Sequence, residues 1–214
     1  MKIIALYGGA FSPPHLGHAS VIEALLRLFT TEFLGRLKHG QETIPSCDEI
    51  WIMPSADRHD KTVTASRKHR VKMLKIMIAE LFPKPKIPIL ISDFELRLNK
   101  PTVTYETLKL LKEKYSNHGF HFVIGSENLG VIETKWVNGK KLFQEADFIA
   151  IKNPLVPLPN KPPPHIIIID DVVWSDISST FIRKLIAQGY SGLPYLTKGV
   201  AEYIKDIINS NFKK

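Results

Sequence analysis

A chain of 214 residues, 44% hydrophobic and 23% charged, is long enough to bury a substantial core without disulfides or metal staples, and its composition is neither disordered nor fibrous. The formal charge of +8 favours anionic ligands. However, the basic residues are scattered through Arg67 to Arg70, Lys109 to Lys114 and Lys213-Lys214, without the aromatic platform that reads single strands, so no nucleic-acid partner is expected. No apolar run reaches the ~18 to 20 residues needed to cross a bilayer, and Ile3-Ile4-Ala5-Leu6 is too short for a signal peptide. The expectation is a cytoplasmic protein with no membrane partner. The lone cysteine, Cys47, suits a reducing compartment and reads as a solvent-near loop thiol.

In chain order, short apolar or β-branched runs bounded by Gly, Pro, Asp or Ser predict strands at Lys2 to Tyr7, Glu49 to Met53, Ile87 to Ser92, His121 to Ile124, Phe148 to Ile151 and His165 to Ile169. Stretches of helical period fall between them at Ala19 to Leu28, Arg67 to Leu81, Thr104 to Tyr115 and Ser179 to Gln188, with Val200 to Ile208 closing the chain. This alternation predicts an α/β fold: a Rossmann-like, doubly wound parallel sheet in a single domain over residues 1–214, with a small helical C-terminal part. Ligands of such sheets sit beyond the carboxyl ends of the strands, which directs attention to the passages after Gly8, Pro54, Gly125 and Trp174. Two segments interrupt the plan, Phe29 to Asp48 and the proline-rich Asn153 to Pro164. Both read as surface loops, the second either a plain connector or a stiff flap beside the site.

The passage Gly8-Gly9-Ala10-Phe11-Ser12-Pro13-Pro14-His15-Leu16-Gly17-His18 leaves the first strand and enters a helix. The paired glycines are expected to let the backbone turn sharply and offer N–H groups to a phosphate, reinforced by the helix N-terminus. His15 and His18 can face one pocket, and Gly17 is expected to leave room for a nucleotide against bare backbone. His-x-x-His can also ligate zinc, but no Cys, Asp or Glu nearby completes a set, so no metal-binding residues are expected. Near the other end, Ile177-Ser178-Ser179-Thr180-Phe181-Ile182-Arg183 opens a helix after a strand. Ser178 or Ser179 is a natural N-cap, the first-turn amides and hydroxyls form a second phosphate cradle, and Arg183 lies one turn along.

Together these two segments resemble the nucleotidylyltransferase superfamily with the His-x-Gly-His motif, and within it the nicotinate/nicotinamide mononucleotide adenylyltransferases. Gly8 to His18 is similar to that family's Gly-Gly-x-Phe-x-Pro-x-His-x-Gly-His, and Ile177 to Arg183 to its Ile-Ser-Ser-Thr-x-x-Arg. The resemblance implies catalytic roles for His15, His18, Lys61 and Arg183. It implies ATP binding by Gly8, Gly9, Ala10, Phe11, Gly17, Gly125, Glu127, Ile177, Ser178, Ser179 and Thr180, and pyridine-nucleotide binding by Ser12, Thr104 and Trp136. Pro54 to Lys61, His69 to Leu74, Phe94 to Leu96, Pro101 to Leu108 and Phe122 to Leu129 are similar to the family's remaining segments.

The chain departs from the family pattern in three places: Glu127 stands for Asp, Ser12 for Asp or Asn, and Lys152-Asn153-Pro154 for Arg-Pro-Gly. The implied partners are ATP, with Mg2+, and a pyridine mononucleotide; a homo-oligomer is compatible with the sequence. The pantetheine-phosphate enzymes, a sibling group, typically have Thr at the place of His15 and Lys at that of Arg183. A non-catalytic nucleotide-binding relative is the alternative of a different class.

Overall fold

The computed structural model describes residues 1–29, 47–56, 65–98, 102–158 and 163–211. Among these residues six strands form one sheet: β1 (Lys2–Gly9), β2 (Glu49–Pro54), β3 (Ile89–Ile91), β4 (His118–Gly125), β5 (Asp147–Ile151) and β6 (Ile166–Ile169). Their order is β3-β2-β1-β4-β5-β6, and every neighbouring pair is parallel. The chain starts in the middle, winds outward to β3, and then crosses back to build the other half. The reversal falls between β1 and β4, and sheets of this kind take their ligands at such a reversal, beyond the carboxyl ends of the strands.

The helices are α1 (Leu16–Leu28), α2 (Arg67–Leu81), α3 (Phe94–Arg97), α4 (Thr104–Lys114), α5 (Ile132–Lys135), α6 (Gly139–Glu145), α7 (Ser179–Ala187) and α8 (Lys198–Asn211). None among the described residues is long and apolar enough to cross a membrane. Because strand side chains alternate, Ala5, Ile50, Ile52, Val123, Ile149 and Ile167 face a core completed by α1, α2, α7 and α8. Ile4, Leu6, Trp51, Met53, Phe122 and Phe148 face the other, completed by α3 to α6. Burial on both faces is why these strands read as continuous apolar runs.

All six expected strands are present. The edge strand β3 is shorter than expected, in keeping with Pro88, which has no N–H to give to a ladder. The short helices α3, α5 and α6 were not expected. Cys47 is a correction: the thiol is buried, donates to the Glu49 carbonyl at 3.0 Å, and is pushed by burial up to about 11, so it is inert rather than solvent-near.

Candidate active site

β1 does not turn at its glycines. Gly8 and Gly9 continue the ladder opposite Met53 and Pro54, and the left-handed residue is Phe11, at φ 49°. The expectation of a sharp turn at Gly8-Gly9 is therefore corrected. These glycines are small because aromatic rings lie against them: a Cβ on Gly9 would meet the Phe11 ring at 3.0 Å, and one on Gly8 the Phe122 ring at 3.3 Å. Phe11 is buried, so the loop that follows β1 is anchored by its ring.

Gly17 also has a ring of the protein beside it. A Cβ there would lie 3.0 Å from His15 Nδ1, so the missing side chain makes room for the His15 ring. That ring packs on His18 with centroids 3.7 Å apart, and His18 in turn lies 4.8 Å from Phe11. His15 is the N-cap of α1, an unusual residue for that position, and its backbone N–H donates to His18 Nδ1 at 3.1 Å. With Nδ1 accepting, neutral His18 carries its proton on Nε2, which is left as the ring's donor. Protonation would set an N–H against an N–H, and burial and the His15 charge also push the His18 pKa down. His15 is pushed down to about 4 by burial, and its buried Nδ1 has no partner among the described residues.

This pair makes stability pH-dependent. In the unfolded chain a histidine takes up a proton near pH 6.5, whereas folded His15 resists protonation until about 4. The unfolded state thus binds more protons in this window, so His15's contribution is complete above pH 6.5 and is lost as pH falls toward 4. Urea denaturation at pH 7 and pH 5 should show a loss of roughly 2 kcal/mol from this group, absent in His15→Asn. Equal pH slopes for the two proteins would refute it.

The C-terminal segment closes over the same loop. Ser178 is the N-cap of α7, its Oγ accepting the Phe181 N–H at 3.2 Å. Ser179 Oγ donates to the Pro13 carbonyl at 2.8 Å, and Arg183 Nη1 donates to the Ser12 carbonyl at 2.7 Å while Nη2 donates to Thr180 Oγ1 at 3.0 Å. Ile177 stands over Gly17, its Cβ 3.7 Å from where a Cβ there would lie. Segments more than 160 positions apart are thereby joined at the β1 loop, and most of the Arg183 donors remain available to an anion.

Ser12 is nearly fully buried and its Oγ accepts the Ala65 N–H at 3.3 Å, so its side chain braces the approach to α2. Gly125 ends β4 with Glu127 folded back over it; a Cβ would fall within 2.5 Å of the Glu127 carboxylate carbon. Asn128 Nδ2 donates to both the Gly125 carbonyl and Glu127 Oε1, and Ser126 Oγ accepts the Asn153 N–H at 2.9 Å. The start of the proline-rich loop is therefore pinned beside this strand end. Thr104 opens α4 and half-buried Trp136 ends α5, in the passages after β3 and β4. Ala10 is half-buried, and its carbonyl accepts from Arg70. Lys61 lies outside the described residues.

Arg70 is the residue that motif reasoning left without a role. It is fully buried, and its Nη1 donates to the carbonyls of Ala10 at 3.0 Å and Ser55 at 2.8 Å, tying the loops after β1 and β2 together. The signal was present: Arg70 occupies the apolar stripe of α2 with Met73, Leu74 and Met77, where a cation demands partners. A separate cleft of about 670 Å³ on the outer flank of α2, lined by Lys68, Lys72 and Lys75 among others, contains none of these residues.

The cytidylyltransferase-like family model matches residues 6–185. A probable nicotinate-nucleotide adenylyltransferase from Bacillus pumilus is 32% identical over 208 residues, covering 96% of this chain and 97% of its own. The nicotinate-nucleotide adenylyltransferase of Bacillus subtilis is 31% identical, covering 86% of this chain and 85% of its own. The chain belongs to the nicotinate-nucleotide adenylyltransferase family. It is a nucleotidyltransferase of the cytidylyltransferase-like type. The fold agrees: the nicotinic acid mononucleotide adenylyltransferase of Plasmodium falciparum, solved in complex with NaAD, superposes with a TM-score of 0.75 at 27% identity, covering 97% of this chain and 96% of that one.

Proposed function

We propose that the protein transfers AMP from ATP to nicotinate mononucleotide, yielding the nicotinate dinucleotide and pyrophosphate in NAD biosynthesis, and that residues 1–214 act as one cytoplasmic domain. The observation that carries this reading is the junction of the His15/His18 loop with α7 through Ser179 and Arg183. It gathers imidazoles, hydroxyls and a guanidinium at the carboxyl end of β1, the donor set a triphosphate requires. The nicotinate form is favoured over nicotinamide by the names of the relatives and by the NaAD held by the Plasmodium protein.

In this mechanism a phosphate oxygen of the mononucleotide attacks the α-phosphorus of ATP, the bond to the bridging oxygen breaks, and pyrophosphate leaves with the electron pair. The attacking phosphate is already anionic near neutral pH, so no general base is needed. Catalysis is alignment and charge stabilisation. His18 donates its Nε2–H, His15 lines the same loop, and Arg183 and the α7 hydroxyls hold the phosphates. Lys61 is assigned to the phosphates on the resemblance alone. A divalent ion such as magnesium, carried in with ATP, would supply further neutralisation of charge. Pyrophosphate release from ATP should be rapid with nicotinate mononucleotide and at least tenfold slower, roughly the worth of one charge-assisted hydrogen bond, with nicotinamide mononucleotide. Release with neither would refute the reading.

A further inference from the structure

Glu95 is a buried carboxylate outside the phosphate site, on the four-residue helix α3. Its two oxygens point to different parts of the chain. Oε2 accepts the Ala56 N–H at 3.2 Å, in the loop that leaves β2, and Oε1 accepts the Thr107 hydroxyl at 2.8 Å, in the first turn of α4. Thr107 is itself 1% exposed, and its Oγ1 lies 2.8 Å from Thr102 Oγ1. Since Thr107 gives its proton to Glu95, Thr102 must be the donor in that pair, so a directed relay runs Thr102 to Thr107 to Glu95. Phe94, the neighbouring residue, anchors α3 in the core.

The segments held are the loop that leaves β2 and the start of α4; the resemblance assigns Thr104, in the first turn of α4, to the mononucleotide, and Thr107 N–H bonds Val103 O at 3.0 Å in that turn. None of these contacts is with a residue of the His15/His18 loop; Ala56 lies beside Ser55, which Arg70 ties to that loop, whereas the Thr107 arm has no such link in these contacts. We infer that Glu95, through Thr107 and the Ala56 amide, is a positioning residue for the pyridine mononucleotide and not for ATP. The inference rests on the substrate reading above, and it separates the two substrates in a way that a purely structural role does not.

Three variants test it. In Glu95→Gln the side-chain carbonyl keeps the Ala56 N–H and the amide donates to Thr107, which reverses its hydroxyl toward Thr102, so the relay survives. In Glu95→Met the volume is kept and the relay is lost. Thr107→Val removes the relay at the other end and leaves the carboxylate in place, and so serves if the methionine variant does not fold. Calorimetric Kd values for nicotinate mononucleotide and for ATP, measured separately, need no turnover.

The expected result is a mononucleotide Kd weakened roughly tenfold in Glu95→Met and Thr107→Val, the worth of an orphaned buried donor, with Glu95→Gln close to wild type and the ATP Kd unchanged throughout. Parallel weakening of both substrates, or a fall in Tm with both Kd values unchanged, would overturn the inference. So would a wild-type protein that binds no mononucleotide. A wild-type protein that binds mononucleotide and ATP without turnover would instead refute the proposed reaction, and the variant series would still decide the role of Glu95.

Discussion

Replacing His18 with alanine is expected to lower kcat by about 100- to 1,000-fold with a modest change in the KM for ATP, the loss seen when one preorganised donor to a developing anion is removed. The reason lies in the ring's fixed state. Its Nδ1 accepts the His15 N–H, Phe11 and His15 pack against it, and burial keeps it neutral, so the Nε2–H is already oriented before ATP arrives. A donor that needs no reorientation acts most strongly where charge builds, on the phosphates in the transition state. The structural cost is small, because the lost cap bond at the start of α1 is worth about 1 kcal/mol. Steady-state kinetics on a variant with a cooperative thermal transition decides the matter. Near-normal kcat would remove His18 from the reaction.

Arg70→Met is expected to cost about 3 kcal/mol of stability and most of the activity. The substitution keeps an apolar stem on the buried face of α2 but leaves the Ala10 and Ser55 carbonyls without their shared donor, each orphaned acceptor costing roughly 1 to 3 kcal/mol. Ala10 precedes Phe11, whose left-handed backbone sets the His15/His18 loop, so the damage reaches the site through that loop. Because a single nitrogen makes both contacts, Arg70→Lys should fall between wild type and methionine. Urea denaturation gives the stability change, and kcat on the fraction that remains folded gives the functional one. A methionine variant of wild-type stability would show that the two loops do not depend on this bridge.

The sheet was legible because parallel strands buried on both faces leave unbroken runs such as Ile166 to Ile169, and the helices that cover it are long enough to show their period. What escaped follows from length and chemistry. Helices of four to seven residues, α3, α5 and α6, complete too few turns for a period to appear. The helical period shows only from Ala19, three residues inside α1, because His15 is not a usual cap. At the site, the motifs located the two segments that the structure joins, but not the turn, which falls at Phe11 and not at Gly8-Gly9, nor what packs against the glycines. Whether a glycine frees the backbone, admits a ligand or makes room for a protein ring depends on the neighbours that tertiary packing supplies: Phe122 for Gly8, Phe11 for Gly9 and His15 for Gly17. Glu95 gave no local signal, since its partners lie 39 and 12 positions away.

The central claim is that a pyridine mononucleotide captures the AMP portion of ATP, and the fate of the α-phosphorus tests it most directly. ATP labelled at the α-phosphorus, incubated with the protein, magnesium and nicotinate mononucleotide, should deliver its label to the dinucleotide with one unlabelled pyrophosphate released per dinucleotide formed. Label recovered only as ATP, AMP or ADP, with no labelled dinucleotide from nicotinate or nicotinamide mononucleotide, would contradict the account.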